Sequence, residues 1–438
     1  MPEHHPNNRR VPLLSADDQV ELNTFTSDIW QSFVLGDVLD LCSEGIDPVH
    51  AQSLSYVGLE HIEPASPSIA RYGRASDVRS LKTLFRRDDI LYGKLRPYLD
   101  KVARADRDGI CSTDILVLRS RQIADSGFMA LLLHTRAFLA HAVSTTTGVN
   151  HPRTSWNSLR VYRLELPPLP EQRAIAHALQ TVQRAREQTE AVIAATRELK
   201  RSMMRHLFTY GPVPVDQADK VVLKETEIGP VPETWRVVRL GEVADKPDYG
   251  YTMSATWSPV GPRFLRITDI QDEKVTWSAV PYCEADSYSA AKYKIEPGDV
   301  LIARIGATTG KAYRIKDCPR AVFASYLIRL RAKQPLLSEF LGHFINSSIY
   351  WGQINADKGG RLKMGVNIPI LKNLLTPIPT MDDQRLIASL LTSLDHKLAA
   401  EESRKQAVDT LFKTLLDNLM TGKVRVPVGP EHMEEGDA

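Results

Sequence analysis

The sequence is poor in cysteine and has no long hydrophobic run. Its four cysteines, Cys42, Cys111, Cys283 and Cys318, stand singly, without the paired spacing of a zinc site or the density of a disulfide scaffold. We therefore predict free, buried and unreactive thiols. No apolar segment reaches the roughly 18 residues that a membrane span requires, which predicts a soluble protein with no membrane partner.

The N-terminal segment lacks the apolar stretch of a secretory signal. It begins MPEHHPNNRRVPLLSADDQ and is rich in polar residues and proline, a composition typical of a flexible tail rather than of a targeting sequence. We expect a flexible tail over residues 1–29 and a cytoplasmic location.

Motifs of the common catalytic and cofactor sites are also missing. The segment Gly306-Ala-Thr-Thr-Gly310-Lys311 is one residue shorter than a phosphate-binding loop, and Ala312 follows it where a magnesium-binding hydroxyl would stand. Zinc-protease, serine-hydrolase and dinucleotide-binding patterns do not occur. The sequence predicts no catalytic residue, no metal site and no cofactor in this chain.

What the sequence does contain is an internal repeat, which decides the architecture. Five short segments of the first half return in the second half in the same order, an arrangement that chance similarity of apolar strings does not explain. The matched segments are 30–38 with 235–243, 87–94 with 298–304, 115–119 with 327–331, 148–150 with 365–367, and 171–176 with 383–388.

Each half begins with a strand-rich globular segment. Apolar runs bounded by Gly, Asp and Pro at residues 115–118, 161–166, 300–305 and 327–330 predict half-buried or buried strands. Helices are expected between them, at 128–141 and 337–349. The predicted class is α+β, with two strand-rich domains.

Each half ends in a long amphipathic segment of about 40 residues without Pro or Gly, which follows a Pro-rich approach. Apolar residues recur there at steps of three and four, the spacing of a coiled-coil seam, interrupted at Glu401 and Lys405. Each helix would extend on the order of 60 Å, so we expect the two to form an antiparallel coiled coil between the two globular domains. The predicted seam is Ile175, Leu179, Val182, Ile193, Met203, Leu207, Ile387, Leu391, Leu394, Leu398, Val408, Phe412, Leu415 and Leu419.

The chain is thus predicted to contain seven parts, related by a pseudo-twofold internal repeat. They are a tail over 1–29, a first globular domain over 30–170, a first long helix over 171–210, a linker over 211–233, a second globular domain over 234–380, a second long helix over 381–422, and a C-terminal tail over 423–438.

Signals for DNA contact come from local patches, because the net charge at pH 7 is only +2. Lys and Arg neutralise phosphates and read guanine, while Asn reads adenine. For any one such residue a solvated surface role is about as common, but the patches recur at matched positions in both halves. The candidates are Arg71, Arg74, Arg86, Tyr92, Lys94, Arg96, Thr146 and Asn150 in the first half, and Arg304, Thr308, Thr309, Lys311, Arg361, Lys363 and Asn367 in the second.

These landmarks together resemble the specificity subunit of type I restriction-modification systems. The likeness spans about residues 30 to 424, and it is carried by Ile228-Gly-Pro-Val-Pro-Glu-Thr-Trp235 with Leu240-Gly-Glu-Val243, by the strand entry Gly298-Asp-Val-Leu301, and by the two Pro-x-Pro approaches to a Glu/Asp-Gln-Arg-x-Ile helix start. In the first half, Asp88 stands where the second half has Gly298, and the first seam is more polar.

The resemblance implies two target-recognition domains, each reading one half of a bipartite, asymmetric site in double-stranded DNA, with the helical pair fixing the gap. It also implies two methyltransferase (modification) subunits as partners and restriction subunits in the full complex. AdoMet, ATP and magnesium would belong to those partners, and this chain would not be an enzyme.

Two other hypotheses remain open at this point. A coiled-coil scaffold could bring two heads together without DNA specificity, and sequence-specific, salt-dependent DNA binding would distinguish it from a DNA reader. A stand-alone nuclease is the third, and it would require turnover by the chain alone with DNA and magnesium.

Overall fold

The computed structural model describes residues 30–271, 274–357 and 365–427, so the predicted tail over 1–29 lies outside the described residues. They form two compact units. Unit 1 contains the chain up to Gln188 and again from Lys405, and unit 2 is Thr189–Arg404. Each long helix therefore contributes one part of its length to each unit.

Unit 1 contains short strands and helices before the first long helix. Its strands are β1 (Gln31–Val34), β2 (Leu39–Cys42), β3 (Gly45–Ile46), β4 (Ser55–Val57), β5 (Gly73–Arg74), β6 (Lys82–Phe85), β7 (Ile90–Gly93), β8 (Val102–Arg104), β9 (Gly109–Cys111), β10 (Ile115–Ser120) and β11 (Arg163–Leu166). Its helices are α1 (Leu35–Val38), α2 (Ser126–Leu132), α3 (Arg136–Ser144), α4 (Trp156–Leu159) and the first part of α5 (Leu169–Tyr210).

Unit 2 has the same kind of composition. Its strands are β12 (Leu223–Lys224), β13 (Val231–Pro232), β14 (Arg236–Arg239), β15 (Asp248–Tyr249), β16 (Arg263–Leu265), β17 (Ile270–Gln271), β18 (Lys274–Val275), β19 (Val300–Ala303), β20 (Ala312–Arg314), β21 (Ala321–Phe323), β22 (Leu327–Leu330) and β23 (Leu375–Ile378). Its helices are α6 (Leu240–Val243), α7 (Ser287–Lys292), α8 (Ser338–Phe344), α9 (Ser348–Asp357), α10 (Ile368–Asn373) and the first part of α11 (Met381–Leu419).

A four-stranded antiparallel sheet lies at the centre of each unit. Its strand order is β2-β10-β7-β8 in unit 1 and β15-β22-β19-β20 in unit 2. A parallel pair accompanies it in both units, β4 with β9 and β16 with β21, and so does an antiparallel pair at the unit's entry, β1 with β11 and β14 with β23. The predicted mixed α+β class is confirmed at this level.

Both faces of each central sheet are buried, which explains the continuous apolar runs in its strands. Along β10, Leu116 and Leu118 belong to the core on the helical side, whereas Ile115 and Val117 belong to the core under the second sheet. Along β19, alternate residues divide in the same way between two cores. A strand buried on both faces cannot show the polar alternation of a half-exposed one.

The helix predicted over 128–141 is in fact two helices, α2 and α3, and the one predicted over 337–349 is also two, α8 and α9. A hydroxyl residue starts the second helix in each case. Thr135 accepts a hydrogen bond from the amide of Phe138, and the hydroxyl of Ser347 accepts one from the amide of Tyr350. Such side-chain caps favour a helix start over continuation, and hydrophobic pattern does not reveal them.

The glutamine of each Glu/Asp-Gln-Arg motif ties the start of a long helix to its own unit. The side chain of Gln172 accepts a bond from the amide of Asp125 (2.8 Å) and donates to the carbonyls of Ile123 (3.1 Å) and Pro167 (2.9 Å). In unit 2, the buried Gln384 makes three bonds of the same kind with Leu337, Pro335 and Pro379. All the hydrogen-bonding groups that a buried amide side chain brings must be satisfied internally, so these residues fix the helix starts.

A buried aspartate holds the turn before the central strand in each unit. Asp89 is 1% exposed and binds Arg119 through two nitrogen–oxygen contacts of 2.7 and 2.8 Å. Asp299, 2% exposed, binds Arg331 at 2.6 and 3.1 Å. The residue before the aspartate has positive φ in both units, +71° at Asp88 and +94° at Gly298, so the turn is the same despite the different residue.

Segments of both long helices lie side by side within each unit and run in opposite directions. In unit 1, Arg186 binds Asp409 at 2.9 Å. In unit 2, Arg197 binds Glu402 at 2.8 Å and Lys200 binds Asp395 at 2.6 Å. The partners' numbers fall as those on α5 rise, which is the antiparallel order.

The predicted seam residues are not used equally. Those near the helix ends, Ile175, Leu179, Leu207, Ile387, Leu391, Phe412 and Leu419, are buried in the cores of the globular segments, and Ile193 is buried as well. Val182, Met203, Leu394, Leu398, Val408 and Leu415 are half-buried. Glu401, an interruption of the stripe, is itself buried at 7% exposure and pairs with Lys397. The ends of the stripe therefore serve the globular cores as well as the helix pair.

Two segments predicted as a linker and a tail contain ordered structure. The predicted linker over 211–233 includes the paired strands β12 and β13. In the predicted tail over 423–438, residues 423–427 are described, and Arg425 forms a bidentate ion pair with the buried Glu171. This pair anchors the segment after α11 to the start of α5 in unit 1.

The structure agrees only in part with the prediction of four buried cysteines. All four cysteines are free, but Cys42 and Cys318 are partly exposed, and only Cys111 and Cys283 are buried. Burial raises the pKa of Cys111 to about 12 and that of Cys283 to about 11. Among the described residues, none of the helices has the length and apolarity to cross a membrane.

Candidate nucleic-acid interface

In unit 1, two of the predicted cations lie beside the loop over 145–154. The amide of Arg96 donates to the carbonyl of Pro152 (2.7 Å), and the amide of Thr154 donates to the carbonyl of Lys94 (3.1 Å). Arg153 closes the loop by exchanging two backbone bonds with Thr147. The cations after β7 and the polar loop thus form one surface, which we name loop cluster 1 (residues 94–96 and 145–154).

The side chains of loop cluster 1 suit contact with DNA. Arg96 and Asn150 are exposed, and Lys94 is half-buried. Val149, at 98% exposure, stands at the tip of the loop, and Arg153 holds the base of the loop through Asp114 at 3.0 Å. An exposed Arg and an exposed Asn are the side chains that read guanine and adenine edges.

Thr146 and Tyr92 make contacts within the fold, and the contact of Thr146 with DNA stays a prediction. The hydroxyl of Thr146 donates to the carbonyl of Val143 at 2.8 Å. Tyr92 is 3% exposed and packs edge-on against Phe138, and burial raises the pKa of Tyr92. The prediction that Tyr92 contacts DNA is wrong, because both faces of β7 are buried.

The other cations predicted in the first half are not part of loop cluster 1. Arg86 lies before β7, at the end of the strand opposite to Lys94. Arg71 donates to the carbonyl of Glu60 at 3.3 Å, and the exposed Arg74 ends strand β5. Their contact with DNA stays a prediction.

In unit 2, Arg304 occupies the place that corresponds to Lys94. Its carbonyl accepts a bond from the amide of Val366 (2.9 Å), as the carbonyl of Lys94 does from Thr154. The guanidinium of Arg304 lies over the ring of Tyr249, 4.6 Å from its centre, an arrangement that holds the cation partly exposed. We name residues 304–311 and 365–367 loop cluster 2.

The hairpin between β19 and β20 supplies the rest of loop cluster 2. Thr309 is nearly buried and its hydroxyl donates to the carbonyl of Gly306 at 2.7 Å, whereas Thr308 is half-buried and Lys311 exposed. Gly306 and Gly310 have positive φ, as the tight turn requires. The hairpin therefore presents Lys311 to solvent and uses Thr309 to stabilise its own turn.

Asn367 caps helix α10, since its side chain accepts a bond from the amide of Ile370 at 2.9 Å. The residue in the same position of unit 1 is Ser155, which caps α4 through the amide of Ser158. The predicted match of Asn150 with Asn367 is therefore wrong, because the two Gly-Val-Asn strings lie at different places in the two units. Arg361 and Lys363 lie outside the described residues.

Exposed aromatic residues of unit 2 were not predicted from the sequence. Trp257 is 69% exposed and Tyr288 is 74% exposed, and Lys292 lies 5.9 Å from the ring centre of Tyr288. Tyr326 is 57% exposed, and its carbonyl accepts the amide of Arg304. The signal available in the sequence was an aromatic residue within a polar loop rich in Gly, Ser and Pro, as at Trp257.

Neither loop cluster contains the donor set of a metal site. Among the described residues, His, Cys, Asp and Glu side chains form no group of three or more that could hold a metal ion. What the two clusters share is exposed positive charge beside amides and hydroxyls, a combination that binds phosphate and base edges.

Known proteins with similar sequences share one description. A family model for the Type I restriction modification DNA specificity domain matches residues 77–195 and 232–410, more than half of the chain. The Type I restriction enzyme MjaVIII specificity subunit of Methanocaldococcus jannaschii is 25% identical over 330 residues, which cover 73% of this chain and 75% of that protein.

Solved structures agree on the fold. The S subunit of a Type I restriction-modification system from M. genitalium superposes with a TM-score of 0.62 and 14% identity, covering 89% of this chain and 96% of that chain. A chain from a structure of complex assembly and conformational transition of the type I R-M system gives a TM-score of 0.52 and 21% identity, covering 90% and 98%.

Proposed function

This chain belongs to the type I restriction-modification DNA specificity family, and we propose that each of its units reads one half of a bipartite, asymmetric DNA site. It is the DNA sequence-recognition subunit of such a system. A coiled-coil scaffold without DNA specificity is not favoured, because the matched family model describes DNA specificity.

The observation that carries the proposal is the position of the two loop clusters. Each follows the equivalent central strand, β7 or β19, and each joins cations to the loop before the equivalent short helix, α4 or α10. The side chains presented differ, with Arg96 and Asn150 in one unit and Arg304 and Lys311 in the other. Equivalent surfaces with different side chains are what two different half-sites require.

The long helices would set the distance between the half-sites. We propose that α5 and α11 form a continuous antiparallel coiled coil and that the two halves are related by a pseudo-twofold axis. The antiparallel ion pairs within each unit, such as Arg186 with Asp409 and Lys200 with Asp395, support the pairing. A stiff helical pair would fix the spacer as a constant number of base pairs.

The remaining activities would belong to other subunits. We propose that two methyltransferase (modification) subunits and, in the full complex, restriction subunits join this chain in the cytoplasm. AdoMet, ATP and magnesium would act in those subunits, and this chain would contribute recognition without catalysis.

The test is to change one loop cluster at a time and to sequence the methylation pattern of cells that express the complex. Arg96→Ala with Asn150→Ala should relax the specificity of one half-site, and Arg304→Ala with Lys311→Ala should relax only the other. The expected cost is about 1–3 kcal/mol for each base interaction that a substitution removes. Arg79→Ala and Lys316→Ala, which remove exposed cations elsewhere in units 1 and 2, are the matched controls.

Two results would contradict the proposal. A change in both half-sites after substitution in one cluster would exclude one reader per unit. A wild-type complex that selects no sequence from random duplexes would exclude sequence recognition itself.

A further inference from the structure

Loop cluster 2 contains an arginine whose side chain is held in place by an aromatic ring. The guanidinium of Arg304 lies over the ring of Tyr249, with 4.6 Å between its central carbon and the ring centre. Its Nη1 also donates to the carbonyl of Ser325 at 3.4 Å. Because stacking on a ring restricts the rotation of a long side chain, the direction of this guanidinium is set before any partner binds.

Both members of the stack are themselves fixed by the backbone around them. The amide of Arg304 donates to the carbonyl of Tyr326 (3.0 Å), and the carbonyl of Arg304 accepts from the amide of Val366 (2.9 Å). Tyr249 is the last residue of β15, and its hydroxyl accepts a bond from the amide of Ile368 at 3.4 Å. The stack therefore joins the hairpin of loop cluster 2 to the first residue of α10.

The stacked guanidinium retains most of its hydrogen-bonding capacity. A guanidinium presents several N–H donors in a planar fork, and among the residues that the structure describes, the side chain of Arg304 donates to the carbonyl of Ser325 alone and has no carboxylate within ion-pair distance. Arg304 is half-buried, so part of its side chain faces solvent. The donors that remain can bind an external acceptor.

The strand ladder identifies the residue of unit 1 that corresponds to Tyr249. Tyr249 lies opposite Ile328, three residues before the arginine of the buried ion pair. In unit 1, Cys42 lies opposite Val117, two residues before the corresponding arginine. The next residue of the chain, Ser43, therefore takes the place of Tyr249.

The two units differ at both members of the stack. Unit 1 has Lys94 in the place of Arg304 and Ser43 in the place of Tyr249, so it has neither the fork nor the ring. A phosphate contact carries no sequence information and could use the same residue in both units. A difference at equivalent places, in a side chain of fixed direction, favours contact with a base.

Guanine is the base that matches the free fork of an arginine. Its O6 and N7 are neighbouring acceptors on the major-groove edge, and they accept two N–H bonds from one guanidinium. We propose that Arg304 reads a guanine in the half-site of unit 2 and that Tyr249 is the residue that positions it. The inference rests on the proposed function, in which unit 2 reads one half-site, and it adds the base and the pair of side chains that selects it.

The test uses the full complex with its modification subunit and measures binding to duplexes in which each base pair of the half-site is changed in turn. Arg304→Lys keeps the charge but removes the fork, so it should lower the preference for guanine at one position by about tenfold. Binding to duplexes that lack the site should keep its affinity and its salt dependence, because the number of phosphates neutralised is unchanged. Methylation sequencing in cells should show the same position relaxed.

Variants of Tyr249 test the positioning role. Tyr249→Leu removes the ring and should lower the guanine preference at the same position by about threefold, whereas Tyr249→Phe keeps the ring and should retain it. Tyr249→Leu should add no further loss to Arg304→Lys, because the ring acts only through the guanidinium. A Tyr249→Leu complex that loses stability but keeps its base preference overturns the positioning role. If this variant does not fold, Tyr249→Thr, which also lacks the ring and suits a strand, replaces it.

The matched control is a second arginine–tyrosine stack of unit 2, outside loop cluster 2. The central carbon of the Arg263 guanidinium lies 4.0 Å from the ring centre of Tyr282, and Arg263 also donates to the carbonyl of Val280. Tyr282→Leu removes a ring of the same kind and should leave the guanine preference as in the wild type. Loss of that preference in the control overturns the assignment.

Three further results decide the question. A unit 2 half-site without any G·C pair overturns the inference, and so does an Arg304→Lys complex that keeps its guanine preference. Equal weakening on all sequences by Arg304→Lys assigns the side chain to a phosphate and overturns it as well. All three leave the proposed function standing, whereas a wild-type complex that selects no sequence overturns the proposed function itself, so the two failures can be told apart.

Discussion

Units 1 and 2 differ least where side chains are buried and most where loops face solvent. Both have the four-stranded central sheet, the aspartate–arginine pair beside it and the motif glutamine at the helix start. Around this frame, unit 1 builds a five-stranded sheet, β3-β6-β9-β4-β5, whereas unit 2 has the two-stranded pairs β16-β21 and β17-β18.

The comparison separates what the fold needs from what recognition needs. A buried ion pair or a buried amide tolerates little change, because an unpaired polar group in a core costs several kcal/mol. Exposed loops such as 145–154 and 304–311 carry no such constraint. The buried elements that both units share therefore determine where the exposed loops lie, and the side chains of those loops determine which bases they contact.

The largest effect is expected at the ion pairs of the two buried aspartates. Arg119→Leu leaves the buried carboxylate of Asp89 without its cation and with only the amide of Arg86 as a donor, and Arg331→Leu leaves Asp299 with only the amide of Glu296. Each substitution should lower the free energy of unfolding of its own unit by about 3 kcal/mol. Urea titration followed by hydrogen-exchange mass spectrometry on peptides of each unit would measure it.

Arg121→Leu is the control for that prediction. It removes the ion pair with Asp40, whose two side chains are 48% and 56% exposed, so the cost should stay below about 1 kcal/mol. An equal loss for Arg119→Leu and Arg121→Leu would contradict the role given to the buried aspartate. A loss in one unit without the other would show that the aspartate–arginine pairs of the two units are not equivalent.

An intermediate effect should appear only in unit 2 and only in acid. Burial lowers the pKa of His343 from 6.5 to about 4, although nearby Asp395 acts in the opposite direction. Between these values the unfolded chain binds a proton that the folded unit does not, so the free energy of unfolding should fall as the pH falls from 6.5 to 4. The expected loss is on the order of 2 kcal/mol.

Leu131 occupies the same position in α2 that His343 has in α8, since both helices are fixed by the equivalent glutamine bonds. His343→Leu should therefore flatten the dependence of unit 2 on pH over this range, whatever it does to stability at neutral pH. Comparison of the urea midpoints of each unit at about pH 7 and about pH 4.5 would decide it, and a slope that persists in the variant would point to other groups.

The smallest effect concerns the turn before the central strand. Gly298→Asp should lower the free energy of unfolding by about 1 kcal/mol, because only glycine adopts positive φ without cost. Asp88→Gly should change it by less than about 1 kcal/mol, since relief of strain is offset by a more flexible unfolded chain. Thermal melting of both variants measures the difference, and a larger loss for Asp88→Gly would indicate that the Asp88 side chain stabilises the turn.

The sequence was informative where a pattern extends over many residues. The uninterrupted, Pro-free segments marked the long helices, whose described bounds of Leu169–Tyr210 and Met381–Leu419 begin within two residues of the predicted starts. The apolar runs at 115–118 and 327–330 marked the central strands β10 and β22. Such patterns report burial averaged over an element.

Single side chains were less predictable, because their roles depend on neighbours distant in sequence. Tyr92 looked like part of a cationic aromatic patch, yet β7 is covered on both faces and the ring is in the core. Asn367 was predicted to contact DNA, which stays a prediction, but the sequence did not reveal that its side chain also caps α10. The ion pairs of Arg119 with Asp89 and of Arg121 with Asp40 were equally hidden, since only the fold reveals which arginines have carboxylate partners.

The division of the long helices between the units also sets an order for folding during synthesis. Unit 2 is one continuous stretch, Thr189–Arg404, and can close as soon as the ribosome has released it. The core of unit 1 needs Phe412, Leu416 and Leu419 against Ile175 and Leu179, so it waits until the end of translation. Domains usually fold in the order in which they are made. Here unit 1, which is made first, should complete its fold last. A chain that stops after Arg404 should therefore have a folded unit 2 and an incomplete core in unit 1.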